Sequence, residues 1–159
     1  MAATSKMRTL LIAIEAFLNA AITAGTIDAS KVFLGLQDAP AQAADTEYPY
    51  IMIDDGGERT DMDMASSTNA QVRIYRVVFE MGTYNLINIK EAMLDVLDLT
   101  EQVKDVIEDN QQPIGTDEIE GITWGLNITP FGWTSENTFF RGRQVIVEYT
   151  LLEDTPEQY

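Results

Sequence analysis

Residues 71–81 read Gln-Val-Arg-Ile-Tyr-Arg-Val-Val-Phe-Glu-Met, the most strand-like run in the chain. Val72, Ile74, Tyr75, Val77, Val78 and Phe79 are β-branched or aromatic, the types that fit a pleated, half-buried surface. Just upstream, Thr60-Asp61-Met62-Asp63-Met64 alternates with period two, which puts the methionines on one face and the aspartates on the other. Ser66-Ser67-Thr68-Asn69 separates the two runs as a polar loop. Glu58–Thr83 is therefore expected to form a long β-hairpin. Its Gln71–Met81 arm belongs in the sheet core, and its Glu58–Ala65 arm extends towards a neighbour.

The elements on either side set the class. Ser5 is placed to cap a helix running to Ala24, with Leu10, Leu11, Ile14, Phe17, Leu18, Ala21 and Ile22 on one broad face and Gly25 as the stop. Lys31–Leu36 and Tyr50–Ile53 read as strands, and Gly56-Gly57 as a turn. Asn85–Asn110 is helical, capped by Asn85 or Asn88, with a break expected at Leu99-Thr100 where the apolar phase slips. Asp117–Glu120 reads as an acidic loop, Ile122–Thr129 as one alternating strand and Thr138–Leu152 as another. The expectation is one α+β domain over residues 1–159, a largely antiparallel sheet carrying two main helices, with a short acidic tail at 153–159.

Composition narrows the chemistry. The chain has neither cysteine nor histidine. Disulfides, thiolate metal sites and cysteine nucleophiles are excluded, and so are the commonest general base and the commonest transition-metal ligand. Ten basic residues face 26 acidic ones, a net charge of −16. Such a surface repels nucleic acid, because grip on phosphates comes from Lys and Arg. It suits binding a basic or cationic partner, or facing DNA without holding it. Residues 7–25 resemble a signal core after Lys6 and Arg8, but Glu15 and Asn19 interrupt the run, which fits an amphipathic helix better. No stretch reads as a membrane span, and the expectation is a protein of the cytoplasm.

Several acidic and basic groups invite a site. Asp54, Asp55, Glu58, Asp61 and Asp63 put five carboxylates in ten residues, yet the EF-hand spacing is absent. In a strand Asp61 and Asp63 would lie about 7 Å apart on one face, as suits a solvated edge. A paired-carboxylate glycosidase would need a cleft with Trp124 or Trp133, and no acid is matched to either. Residues 91–120 hold ten acids and one base, Lys104, read as an exposed face or as the lining of a channel. Arg141 and Arg143 share one strand face around Gly142. They call for acidic partners, either Asp61 and Asp63 across the same sheet or the acids of another copy, which would join subunits in a ring.

The order of these elements resembles the tail terminator, or tail completion, proteins of long-tailed bacteriophages. The resemblance is carried by the N-terminal amphipathic helix, the Tyr48–Asp54 strand (YPYIMID), the Tyr75–Tyr84 strand (YRVVFEMGTY), the helix that follows near Ile87, and the closing Phe140–Tyr149 strand (FRGRQVIVEY). It implies a non-enzymatic structural protein without cofactor or metal. Such proteins form a hexameric ring on the tail tube, stop tube polymerisation and offer the surface that joins the head. They are assembled in the host cytoplasm into the virion. The implied partners are other copies, the tail-tube protein and the head–tail connector protein, while DNA passes through without specific binding. Asp61, Met62, Asp63, Met64, Arg141 and Arg143 are the expected interface residues. Other readings remain open: a different tube or head-completion subunit, or a monomeric acidic module for a basic partner or divalent cation.

Overall fold

The computed structural model describes residues 5–35, 49–61, 70–85, 88–113, 119–125, 128–135 and 138–154. It is an α+β fold: two helices and a six-stranded, mostly antiparallel sheet. In chain order the elements are α1 (Lys6–Ala24), β1 (Lys31–Leu34), β2 (Tyr50–Asp61), β3 (Ala70–Asn85), α2 (Ile89–Asp109), β4 (Ile119–Thr123), β5 (Ile128–Ser135) and β6 (Thr138–Asp154).

Strand order is β1-β2-β3-β6-β4, with β5 also paired to β6. Only β1 runs parallel to its neighbour. The run that opened the argument is at the centre: β3 is hydrogen-bonded to β2 on one side and to β6 along its whole length on the other. Alternate residues Tyr75, Val77, Phe79 and Met81 join Val145, Val147 and Tyr149 in the main core. α1 and α2 cover that same face.

Both helices form for local reasons. The Ser5 hydroxyl accepts the Arg8 N–H, and Gly25 closes α1 in the left-handed region at φ 79°. α1 buries Met7, Leu10, Ile14 and Leu18, spaced by three and four, against the sheet. Each such side chain contributes roughly 1.5–3 kcal/mol on burial. By length and apolarity α1 would also pass for a membrane span, with a mean hydropathy of 1.4. A core helix meets the same criterion, and here the Leu10–Ile14–Leu18 stripe belongs to the core. α2 starts at Asn88, whose side chain accepts the Glu91 N–H at 2.8 Å.

Several sequence expectations need correction. α2 is unbroken at Leu99-Thr100, because the buried Thr100 hydroxyl donates to the Val96 carbonyl at 2.7 Å and is satisfied within the helix. Gly56-Gly57 is not a turn between two strands. It is a bulge inside one strand: Asp55 faces Val77 and Glu58 faces Tyr75, so one residue is extra. Gly57 supplies φ 95°, and the Asp55 carboxylate accepts its N–H at 2.7 Å. The predicted Ile122–Thr129 strand divides at Trp124–Gly125, where Gly125 takes φ 73°. Its two parts, β4 and β5, pair with different halves of β6. The acidic Asp117–Glu120 segment and the 153–159 tail are both cut into by strand, since β4 begins at Ile119 and β6 runs through Asp154.

Candidate interaction surface

The bulge decides where the charges of β2 point. Downstream of it the alternation is reversed, so Glu58 shares a face with Tyr75 and Arg59 with Ile74 on the helix-free face. There Arg59 comes within 3.9 Å of Glu148, and Arg76 donates to the same carboxylate at 2.9 Å. Glu148 is buried at 8 % exposure, and two half-exposed arginines answer its charge. Glu58 in turn pairs with Arg73 at 3.9 Å. The described part of the Glu58–Ala65 arm is thus bound into its own sheet and does not reach out. Met62, Asp63 and Met64 lie outside the described residues, and Asp61 is placed only by its backbone pairing with Val72.

The carboxylates of the acidic run have local duties. Asp54 accepts the Asp55 N–H at 2.8 Å, and Asp55 holds the bulge. Among the described residues no group of three or more acids could hold a metal ion. Trp124 lies 5.9 Å from Phe79, ring to ring, at the edge of the core, not in a cleft.

Arg141 and Arg143 stand at the other end of the sheet from Asp61. In register, Arg141 faces Thr83 and Gly132, and Arg143 faces Met81 and Pro130, whereas Asp61 lies level with Val72 and Leu152. Nine to eleven residues of strand, about 30 Å at 3.3 Å per residue, separate them. Pairing of these arginines with Asp61 inside one chain is ruled out by that distance. Both side chains are half-buried on the helix-bearing face. Arg141 donates to the Phe140 carbonyl at 3.0 Å and lies over Gly132, whose missing side chain leaves the space. No carboxylate among the described residues forms an ion pair with either arginine.

The arginines border a groove of about 220 Å³ between α2 and β5, lined also by Met93, Val96, Leu97 and Pro130. Met93 and Leu97 belong to the apolar pattern of α2 but are 46 % and 37 % exposed, because the groove stands open between them and the strand residues Pro130, Arg141 and Arg143. Ile89 continues their line one turn earlier and Ile128 lies on β5, both exposed as well. Met93 and Leu97 share the three- and four-residue apolar spacing of Val96 and Val103; the signal for a surface role is an apolar sector wider than one sheet contact needs.

The opposite flank of α2 is acidic. Glu91, Asp95 and Asp98 are exposed at spacings of four and three. Partial desolvation and then the charges of Glu91 and Asp98 push the Asp95 carboxyl above its ordinary range. On the helix-free face, burial raises Glu80 in the same way, opposed in part by the Tyr50 hydroxyl that donates to it at 3.1 Å.

No protein-family model matches the sequence, and a search of curated proteins likewise finds no match.

Proposed function

We propose that this chain is a structural protein of a long-tailed phage, a tail terminator that works as a homo-oligomeric ring, expected to be a hexamer, at the end of the tail tube. The ring ends tube polymerisation and presents the surface that joins the head through the connector protein. DNA passes through it without being held. The reading rests on the resemblance in element order. The observation that carries it is the half-buried Arg141–Arg143 pair, which has no ion-pair partner among the described residues of a chain of net charge −16 and borders uncovered apolar side chains. Charge of that sign in that setting is explained by acidic neighbours of the same kind. A lumen lined by the remaining acids would keep the DNA backbone from sticking. The cation-module alternative has no support among the described residues, where no acidic group has metal-binding composition and spacing.

Negative-stain electron microscopy tests this reading. Rings with an open centre are expected from the protein alone, and tubes of limited length, each ended by a ring, when it is added to polymerising tail-tube subunits. Unchanged tube growth together with an absence of rings refutes it.

A further inference from the structure

α2 carries two unlike flanks. One borders the groove through Met93 and Leu97; the other presents Glu91, Asp95 and Asp98. At 100° per residue Asp95 lies about 200° around the helix from Met93, with the exposed Leu94 midway between them. The core-facing Val96–Leu99–Val103 stripe separates the flanks on the other side. Gln102, on the acidic side, exchanges hydrogen bonds with Asp28 at 2.9 and 3.1 Å, so that flank is turned towards the α1–β1 connection and away from β5.

We infer that these flanks are the two halves of one head-to-tail contact: Leu94 of one copy enters the groove of the next, and its Glu91, Asp95 and Asp98 meet the neighbour's Arg141 and Arg143. The inference rests on the ring reading and names its interface. Complementarity of charge carries it. The groove offers two cations without ion-pair partners among the described residues beside an apolar floor, and the helix offers an apolar knob beside Asp95 and the two carboxylates, Glu91 and Asp98, that repel it. Each surface lacks what the other supplies, and neither complements itself. A two-fold dimer through either patch would set like charge against like, whereas a heterologous contact repeats from copy to copy, as the ring reading requires. Desolvating the pairs in the closed contact makes each charge choice matter for specificity.

Two reversed chains test it, Arg141→Glu with Arg143→Glu, and Glu91→Lys with Asp95→Lys and Asp98→Lys. All five positions are outside the fully buried core, and circular dichroism checks that both chains keep the native fold. By native mass spectrometry the wild type is expected as an oligomer and each reversed chain alone as a monomer. An equimolar mixture should regain the wild-type subunit number with equal numbers of the two chains, because every contact in an alternating ring is again opposite in charge. Arg141→Gln with Arg143→Gln should weaken assembly without the repulsion. A wild-type-like oligomer from either reversed chain alone, or a mixture that stays monomeric though folded, overturns this interface while a wild-type ring would still stand. A wild type that is monomeric throughout overturns this inference, and together with unchanged tube growth it overturns the ring reading as well.

Discussion

Replacing Gly82 with alanine probes how the helix-free face holds together. Tyr50, Gly82, Gly142 and Phe131 form one row across β2, β3, β6 and β5. The two aromatic rings lie over the two glycines, and a Cβ at Gly82 would come within 2.6 Å of the Tyr50 ring and hydroxyl. Tyr50 is 1 % exposed and has no easy retreat. Phe33 meets it edge-on at 6.1 Å, Phe140 stacks at 6.3 Å, and its hydroxyl donates to Glu80. Two effects compete. Gly→Ala gains about 0.4–1 kcal/mol by restricting the unfolded chain, provided the backbone allows it. Overpacking of a fixed ring costs about 1–3 kcal/mol. At 2.6 Å the clash wins, for a net loss of about 1–2 kcal/mol, or a Tm lower by about 2–8 °C for a chain of this size. Urea unfolding followed by circular dichroism gives the number. The same substitution in a Tyr50→Leu background should cost nothing or stabilise slightly, a coupling of about 1 kcal/mol or more. Equal effects in the two backgrounds would refute the argument that the ring is what forbids a side chain at Gly82.

Three further substitutions follow from single contacts. Glu148→Gln removes the carboxylate that Arg59 and Arg76 share; because both arginines are half-exposed, water offsets part of the loss, and about 1–2 kcal/mol of stability should disappear in a denaturant titration. Glu80→Gln should raise Tm at neutral pH. The folded state holds the Glu80 proton more tightly than the unfolded chain, whose ordinary value is 4.5, so this group's contribution falls as pH rises through the window between them. The advantage of Gln should therefore shrink as pH drops below that window, and a pH-independent gain would contradict the assignment. Tyr149→Phe removes a fully buried hydroxyl that finds no hydrogen-bond partner among the described residues and whose pKa burial raises; it should be neutral or stabilise by up to about 1 kcal/mol, and a clear loss would show that the hydroxyl is bonded.

What the sequence discloses depends on whether a local signal is decided locally. The bounds of α1 are read from Ser5 and Gly25 because caps act within one turn. The central place of Gln71–Met81 follows from its side-chain types, and the α+β class from the order of elements. Gly56-Gly57 misleads because a bulge and a turn use the same residues; only the β3 strand opposite decides that the ladder resumes. The alternation through Ile122–Thr129 is real, yet β6 is long enough to pair with two separate pieces of it. Met93 and Leu97 have the spacing of core residues, and periodicity carries no information on whether the strands facing them close the gap. Arg141 and Arg143 were visible as a pair on one face, but only the register shows that Asp61 is at the far end of the sheet. The local support expected from the Glu58–Ala65 arm moves accordingly to the α2–β5 groove.

The claim that copies of this chain join through that groove into a closed ring is tested most directly by the mass of the wild-type assembly. Native mass spectrometry over a range of concentrations should give one closed species, about 106 kDa for six 17.7-kDa chains, with no ladder of larger forms. A single 17.7-kDa species at every concentration would contradict it.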